Sequence, residues 1–264
     1  EYLVGQMAHT YRWEGGGAAV LGSIQPQPLP QAPDGSMALQ EIEGAIKPDD
    51  AHFARTRLLC LENTWGGQVL DPGYVAQATA LAHRRGLNTH LDGARLFNAA
   101  VAQGCKAREL TQGFDSVSVC FSKGLGAPVG SALCGSREFI ARAHRWRKMC
   151  GGGMRQAGVL AAAALYALDH QVQRLADDHE HARLLAQGLS GLPGVKLQAP
   201  QTNIVFLDLE PELQARYPKG VVAELAQQGL LCTGLYRLRL VTHLNVSRAE
   251  IEQAVGILRH TLRS

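Results

Sequence analysis

Short apolar segments recur along the first half of the chain, and helix-like segments separate them. Glycine, proline or aspartate bounds most of the apolar segments, as is typical of buried strands; they cover residues 2–5, 58–61, 88–91, 117–121 and 131–134. Residues 73–85 predict a helix that ends at Gly86. This order is typical of a mostly parallel sheet with right-handed crossovers. Residues 15–36, rich in glycine and proline, predict mostly loop.

The pattern changes in the second half of the chain. Residues 136–149 predict a basic helix, and three glycines at 151–153 interrupt the chain after it. Residues 156–169 are rich in alanine and leucine, which predicts a buried helix. A polar helix is expected over residues 177–189.

A smaller α+β pattern follows Pro193. It predicts strands over 203–209 and 238–244, a helix over 220–228, and a last helix that begins with a capping box of Ser247 and Glu250. We therefore expect an α/β large domain with a mostly parallel sheet over residues 1–175 and a smaller C-terminal α+β domain over residues 176–264. Because the chain opens with Glu1 and enters a strand at once, we expect an N-terminal part of the large domain to be missing.

Composition narrows the function classes. The net charge is +3, and the densest basic cluster has four cationic residues in positions 142–148, which indicates a solvated helix face or a patch for small anions. Without a basic stripe or interleaved aromatic residues, we expect no nucleic-acid partner.

The six cysteines form no CxxC pair, so we predict no metal site and expect free thiols, with Cys60, Cys120 and Cys134 buried. No apolar stretch is long enough to span a bilayer and no leader is visible, so we expect no membrane association and a cytoplasmic location.

Two charged residues directly follow predicted strands. Lys123 lies between Ser122 and Gly124, where burial disfavours the ammonium and favours a nucleophilic amine. Asp92 lies 31 residues earlier, a distance that fits one crossover helix between neighbouring strands. Both side chains would then face one crevice at the carboxyl ends of the strands. Such a pair suits a pyridine cofactor, but Lys123 could instead reach solvent and Asp92 could cap a helix.

Other candidate residues are weaker on their own. His9 follows the first strand and could stack on a cofactor ring, while His52 could take a proton from a substrate hydroxyl. Lys148, Arg155 and Arg239 could bind anions, and Arg239 lies between two leucines of a predicted strand. Arg239 could equally pair with a structural carboxylate.

Taken together, six ordered motifs resemble those of the low-specificity L-threonine aldolase family. They occupy residues 61–64, 90–98, 122–130, 145–149, 151–156 and 239–243. The resemblance implies the aspartate-aminotransferase-like fold, fold type I, with pyridoxal 5'-phosphate (PLP) as cofactor. It implies cleavage of L-threonine, L-allo-threonine and other β-hydroxy-α-amino acids to glycine and an aldehyde. It also implies a homotetramer, a dimer of dimers, with active sites at dimer interfaces.

The resemblance also implies roles for individual residues. Lys123 would hold the cofactor covalently, Asp92 would face its pyridine nitrogen, Arg95 would contact its ring oxygen and His9 would stack on its ring. His52 would face the substrate hydroxyl and Arg239 would bind the substrate carboxylate. Lys148 and Arg155 would lie near the cofactor phosphate, supplied in some cases by a neighbouring subunit.

Two departures from the family pattern keep other interpretations open. Family members carry an N-terminal stretch with a phosphate-binding turn, which does not precede Glu1, and many have histidine where this chain has Trp65. The alternatives are a β-eliminating lyase of the tryptophanase type, which uses the same aspartate and lysine, and an inactive truncated scaffold.

Overall fold

The computed structural model describes residues 1–234 and 237–263. The chain divides into two compact units, Glu1–Val172 and Gln173–Ser264. The first unit is built around a six-stranded sheet in the order β2-β1-β3-β4-β5-β6. Its strands are β1 (Tyr2–Gly5), β2 (Pro26–Leu29), β3 (Leu58–Glu62), β4 (Asn88–Gly93), β5 (Ser116–Cys120) and β6 (Ser131–Gly135). Neighbouring strands are parallel from β2 to β5, and β6 runs antiparallel to β5.

Helices connect these strands. They are α1 (His9–Arg12), α2 (Gly17–Gly22), α3 (Leu39–Gly44), α4 (Pro72–Arg84), α5 (Leu96–Gln103), α6 (Ala107–Leu110), α7 (Arg137–Met149) and α8 (Gly158–His170). Helix α4, which joins β3 to β4, shows how the sequence sets a boundary. The Asp71 side chain accepts the Tyr74 N–H at 2.8 Å, and Pro72 occupies the first helical position.

The core of the first unit lies against the central strands. Leu3, Leu59 and Leu91, from β1, β3 and β4, are fully or almost fully buried. Ala78 and Leu81 of α4 belong to the same cluster. Burying a leucine side chain contributes roughly 1.5–3 kcal/mol, so these contacts fix the positions at which the central strands end.

The second unit contains a three-stranded antiparallel sheet in the order β7-β8-β9 within the described residues. Its elements are α9 (Leu175–Leu189), β7 (Val195–Leu197), β8 (Ile204–Leu209), α10 (Pro211–Gln214), α11 (Val221–Gln227), β9 (Leu238–Val241) and α12 (Arg248–Arg263). The predicted capping box is confirmed, because Glu250 accepts the Ser247 N–H at 2.7 Å and the Glu250 N–H points to Ser247 Oγ at 3.3 Å.

The strand predictions are confirmed for β1, β3, β4, β5 and β6, while three predictions of burial are wrong. Residues 15–36 are mostly loop as expected, although they also contain the short elements α2 and β2. Cys60 is buried as predicted, but Cys120 is only partly buried and Cys134 is exposed. Helix α8 forms as expected but is not a buried helix in the single chain. Among its described residues, only Ala167 is buried. In the described part of the chain, the helices are too short or too polar to cross a membrane.

Candidate active site

Three parallel strands end side by side and gather the main candidate residues. Glu62 at the end of β3 is in register with Asp92 near the end of β4, and Asp92 is in register with Ser118 of β5. Lys123 lies three residues beyond the end of β5. The expectation that neighbouring parallel strands lead to Asp92 and Lys123 is therefore confirmed, although Asp92 is the penultimate residue of β4 rather than the residue after it.

Asp92 is held in a buried position by the backbone around it. It is 8% exposed, and its Oδ1 accepts the Ala94 N–H at 3.1 Å. Gly93 lets β4 approach β5 closely, because a Cβ there would lie 2.8 Å from the carbonyl oxygen of Ser118. Helix α5 begins after Arg95. Asp92 therefore lies outside this helix and presents a carboxylate at the sheet edge.

The loop that carries Lys123 is folded back on β5. The Gly126 N–H donates to the Lys123 carbonyl at 2.9 Å, and the Ala127 N–H donates to the Phe121 carbonyl at 3.0 Å. Leu125 and Ala127 are buried and anchor this turn, while the Lys123 residue is half-buried. The backbone therefore fixes the origin of the lysine side chain.

Glu62 is the functional candidate that the sequence reasoning missed. Burial raises the pKa of its carboxyl to about 7, and the negative charge of Asp92 adds to this. The His9 N–H, Arg95 and Lys123 act in the opposite direction. All four residues therefore lie within electrostatic reach of one carboxyl group. The sequence did offer a signal for Glu62. It is an acidic residue that ends an apolar strand, within a motif whose strand neighbours the Asp92 strand.

His9 is tied to the same place through its main chain. Its N–H donates to Glu62 Oε2 at 2.7 Å, at the start of α1. Its ring is half-exposed, with Nδ1 2.8 Å from Glu14 Oε1. The structure thus brings together Asp92, Arg95, Lys123 and His9 around Glu62.

The remaining candidates of the first unit lie on its surface. The His52 side chain is 87% exposed, and its Nδ1 lies 2.7 Å from Asp50 Oδ1, so its ring is not part of the buried cluster in the described structure. Lys148 and Arg155 are exposed. The Lys148 amine packs over Gly153, where a Cβ would lie 2.5 Å from Nζ.

Trp65 packs against a glycine of a neighbouring loop. A Cβ on Gly35 would lie 2.7 Å from the Trp65 Cβ, so this pairing needs glycine at position 35. Gly35 also has a φ of +88°, which glycine adopts without strain.

Arg239 belongs to the second unit and lies on β9 between the buried Leu238 and Leu240. Burial lowers the pKa of its guanidinium group. Within its own unit it forms no ion pair with the described residues 173–234 and 237–263. A partly buried guanidinium without a carboxylate partner in that part of the chain suits binding of an anionic ligand.

The chain matches known enzymes over most of its length. The beta-eliminating lyase family model matches residues 1–212. The low-specificity L-threonine aldolase of Escherichia coli K12 is 50% identical over 256 residues, which cover 97% of this chain and 75% of that protein. The probable low-specificity L-threonine aldolase 2 of Arabidopsis thaliana is 40% identical over 273 residues, with coverages of 100% and 77%.

Solved structures match the fold. The Leishmania major threonine aldolase aligns with a TM-score of 0.82 at 22% identity, over 99% of this chain and 77% of that one. A putative L-allo-threonine aldolase of Listeria monocytogenes aligns with a TM-score of 0.80 at 22% identity, over 99% and 74%.

Proposed function

Because the chain belongs to the beta-eliminating lyase family and, within it, to the low-specificity L-threonine aldolases, we propose that the cluster at the ends of β3, β4 and β5 carries its chemistry. The protein is a PLP-dependent lyase of fold type I that cleaves β-hydroxy-α-amino acids in a retro-aldol reaction. The observation that supports the site is the buried Asp92 on the strand next to the one that leads to Lys123.

The residues present fit the cofactor by their chemistry. An amine, a carboxylate and a guanidinium, from Lys123, Asp92 and Arg95, lie around Glu62. Lys123 would bind the aldehyde carbon through its Nζ, and Asp92 would hold a proton on the pyridine nitrogen. Arg95 would donate to the ring oxygen, and His9 would cover one ring face. PLP, when bound, supplies an electron sink for the charge left by carbon–carbon cleavage.

The substrate would be held and deprotonated by two other residues. Arg239 would bind the substrate carboxylate, supported by its lack of an ion-pair partner among the described residues of its own unit. His52 would accept the β-hydroxyl proton at Nε2. Its Nδ1 lies 2.7 Å from Asp50, and donation to that carboxylate leaves Nε2 free to accept. Lys148 and Arg155 would bind the cofactor phosphate.

We also propose that the protein assembles as a homotetramer. Support comes from α8, whose apolar residues Val159, Leu165 and Tyr166 are 69%, 60% and 59% exposed in the single chain. Val159 and Tyr166 are seven residues apart and share one face of the helix. An exposed apolar face of this kind marks an interaction site. Packing of α8 against further copies would bury it.

Product analysis tests the proposed reaction. The full chain is supplied with PLP and L-threonine, and glycine and acetaldehyde are measured together with ammonia and 2-oxo acid. Equal amounts of glycine and acetaldehyde are expected. Release of ammonia and a 2-oxo acid instead would identify β-elimination, and failure of the protein to acquire a visible absorption band with PLP would refute cofactor binding.

A further inference from the structure

Glu62 has no part in the reaction described above, yet it accepts the His9 N–H and lies within electrostatic reach of Asp92, Arg95 and Lys123. Its carboxylate accepts the His9 N–H at 2.7 Å, which joins the end of β3 to the residue that would cover the cofactor ring. Its backbone is in register with that of Asp92. The two carboxyl-bearing residues therefore lie on neighbouring strands at the same edge of the sheet.

Charged and titratable groups reach Glu62 from each strand end at this edge. Asp92 and Arg95 come from the end of β4 and the residues after it, and Lys123 comes from the loop after β5. Cys60 lies two residues earlier on β3, and burial raises the pKa of its thiol to about 12, so this thiol stays neutral. Of the charged groups, Asp92, Arg95 and Lys123 therefore act on the Glu62 carboxyl, beside the larger effects of burial and of the His9 N–H.

These opposing influences leave Glu62 able to change its charge near neutral pH. Burial raises the pKa of Glu62 to about 7, well above that of a solvated glutamate. The ionised form accepts the His9 N–H more strongly than the protonated form. It also places a second negative charge beside Asp92, which favours a proton on a neighbouring pyridine nitrogen.

We propose that Glu62 is a positioning residue of the aldolase site, whose carboxylate fixes His9 through its main chain and adds its charge to that of Asp92 at the same sheet edge. Ionised Glu62 would hold His9 against the ring and strengthen the electrostatic role of Asp92. Protonated Glu62 would weaken both effects. This inference rests on the proposed function of the Asp92–Lys123 cluster.

Two substitutions separate the contact from the charge. Glu62→Gln keeps an oxygen that can accept the His9 N–H but cannot ionise, whereas Glu62→Asp keeps the charge but shortens the reach to His9. Glu41→Gln, on the exposed surface of α3, is the matched control. Each PLP-loaded protein is titrated from about pH 5.5 to about pH 9, and its visible absorption and visible circular dichroism are recorded.

The two variants should differ in which signal they lose. Wild type and Glu41→Gln should show a spectral inflection near neutral pH, and Glu62→Gln should lack it while retaining the circular dichroism of the bound cofactor. Glu62→Asp should shift the inflection and reduce the circular dichroism. It should also lower kcat roughly tenfold to a hundredfold with KM changed less than about threefold, as expected for displaced catalytic groups.

The inference is overturned if Glu62→Gln retains the wild-type inflection, or if wild type has none. It is also overturned if Glu62→Asp matches wild type in both spectra, a result that stays readable should Glu62→Gln fail to fold. Far-ultraviolet circular dichroism checks the folding of each variant. A wild-type protein that binds PLP but releases no glycine from threonine would refute the proposed function separately, because the spectral titration does not depend on turnover.

Discussion

Two regions of the first unit differ in how far a single chain buries their side chains: the sheet edge at β3, β4 and β5, and the α7–α8 segment. At the sheet edge Asp92 is buried, and backbone hydrogen bonds fix the residues around it. In the α7–α8 segment, Ala167 alone is buried among the described side chains. The exposed large apolar residues there are Trp146, Met149, Met154, Val159, Leu165 and Tyr166.

The difference separates two halves of the proposed site. The residues proposed for the cofactor ring are held by contacts within one chain. The residues proposed for the phosphate, Lys148 and Arg155, lie on a segment whose apolar surface remains uncovered. In the proposed site, one copy of the chain would therefore preorganise the ring half, while association with further copies would order the phosphate half.

The largest expected effect comes from removing the amine of the ring half. Lys123→Ala should abolish the visible absorption band that PLP gives with the wild type and lower kcat/KM by about a thousandfold or more. Absorption spectra and threonine turnover measure both effects. Lys196→Ala, at an exposed lysine of β7, is the control and should behave as wild type. A band of undiminished intensity in Lys123→Ala would contradict the assignment.

An intermediate effect is expected from charging the uncovered surface. The double substitution Val159→Glu and Tyr166→Glu should dissociate the assembly and weaken PLP binding roughly tenfold, because charged residues disfavour burial of this face. Sedimentation gives the assembly state, and a PLP titration gives the affinity. The band should return at saturating PLP, since the ring half is intact. Gln187→Glu, exposed on α9, is the control; an unchanged assembly in the double variant would refute the role of α8.

The smallest effect concerns His179 of the second unit, which is buried by residues of its own chain. Burial lowers the pKa of His179 to about 4, so the unfolded chain binds the proton first as pH falls. The stability contributed by its neutral form is present above pH 6.5 and declines toward pH 4, by about 1–3 kcal/mol in total.

His179→Gln should flatten the dependence of the free energy of unfolding on pH between those values, whereas His260→Gln on the exposed face of α12 should not. Urea unfolding at several pH values measures this free energy of unfolding. This effect should not vary with protein concentration, unlike that of the α8 substitutions. If the effect of His179→Gln on the free energy of unfolding did depend on protein concentration, the contrast between the region buried within one chain and the α8 surface would be refuted.

The sequence was sufficient for the parts of the fold that are encoded locally. The strands β3, β4 and β5 are short apolar runs with clear boundaries, so the adjacency of Asp92 and Lys123 could be predicted from their spacing. Strand β2 could not, because Pro26 and Pro28 argue against a strand, although proline is tolerated at a sheet edge.

Burial and side-chain pairing required the structure. The apolar composition of α8 predicts burial but cannot say whether the covering surface belongs to the same chain. Glu62 could have been a solvated strand-end residue, and its importance rests on register with Asp92 and on the His9 N–H. The exposed position of His52 beside Asp50 is likewise a matter of loop conformation, which periodicity does not report.

The prolines of β2 have a consequence for how copies of this chain can meet. The carbonyls of Gln25 and Leu29 accept N–H groups of Tyr2 and Gln6, so by the two-residue repeat of a strand positions 26 and 28 face outward. Both outward positions are proline and offer no N–H to an incoming strand. This margin of the sheet resists continuous β-ladder growth between molecules, which blocks one common route to fibrous aggregation.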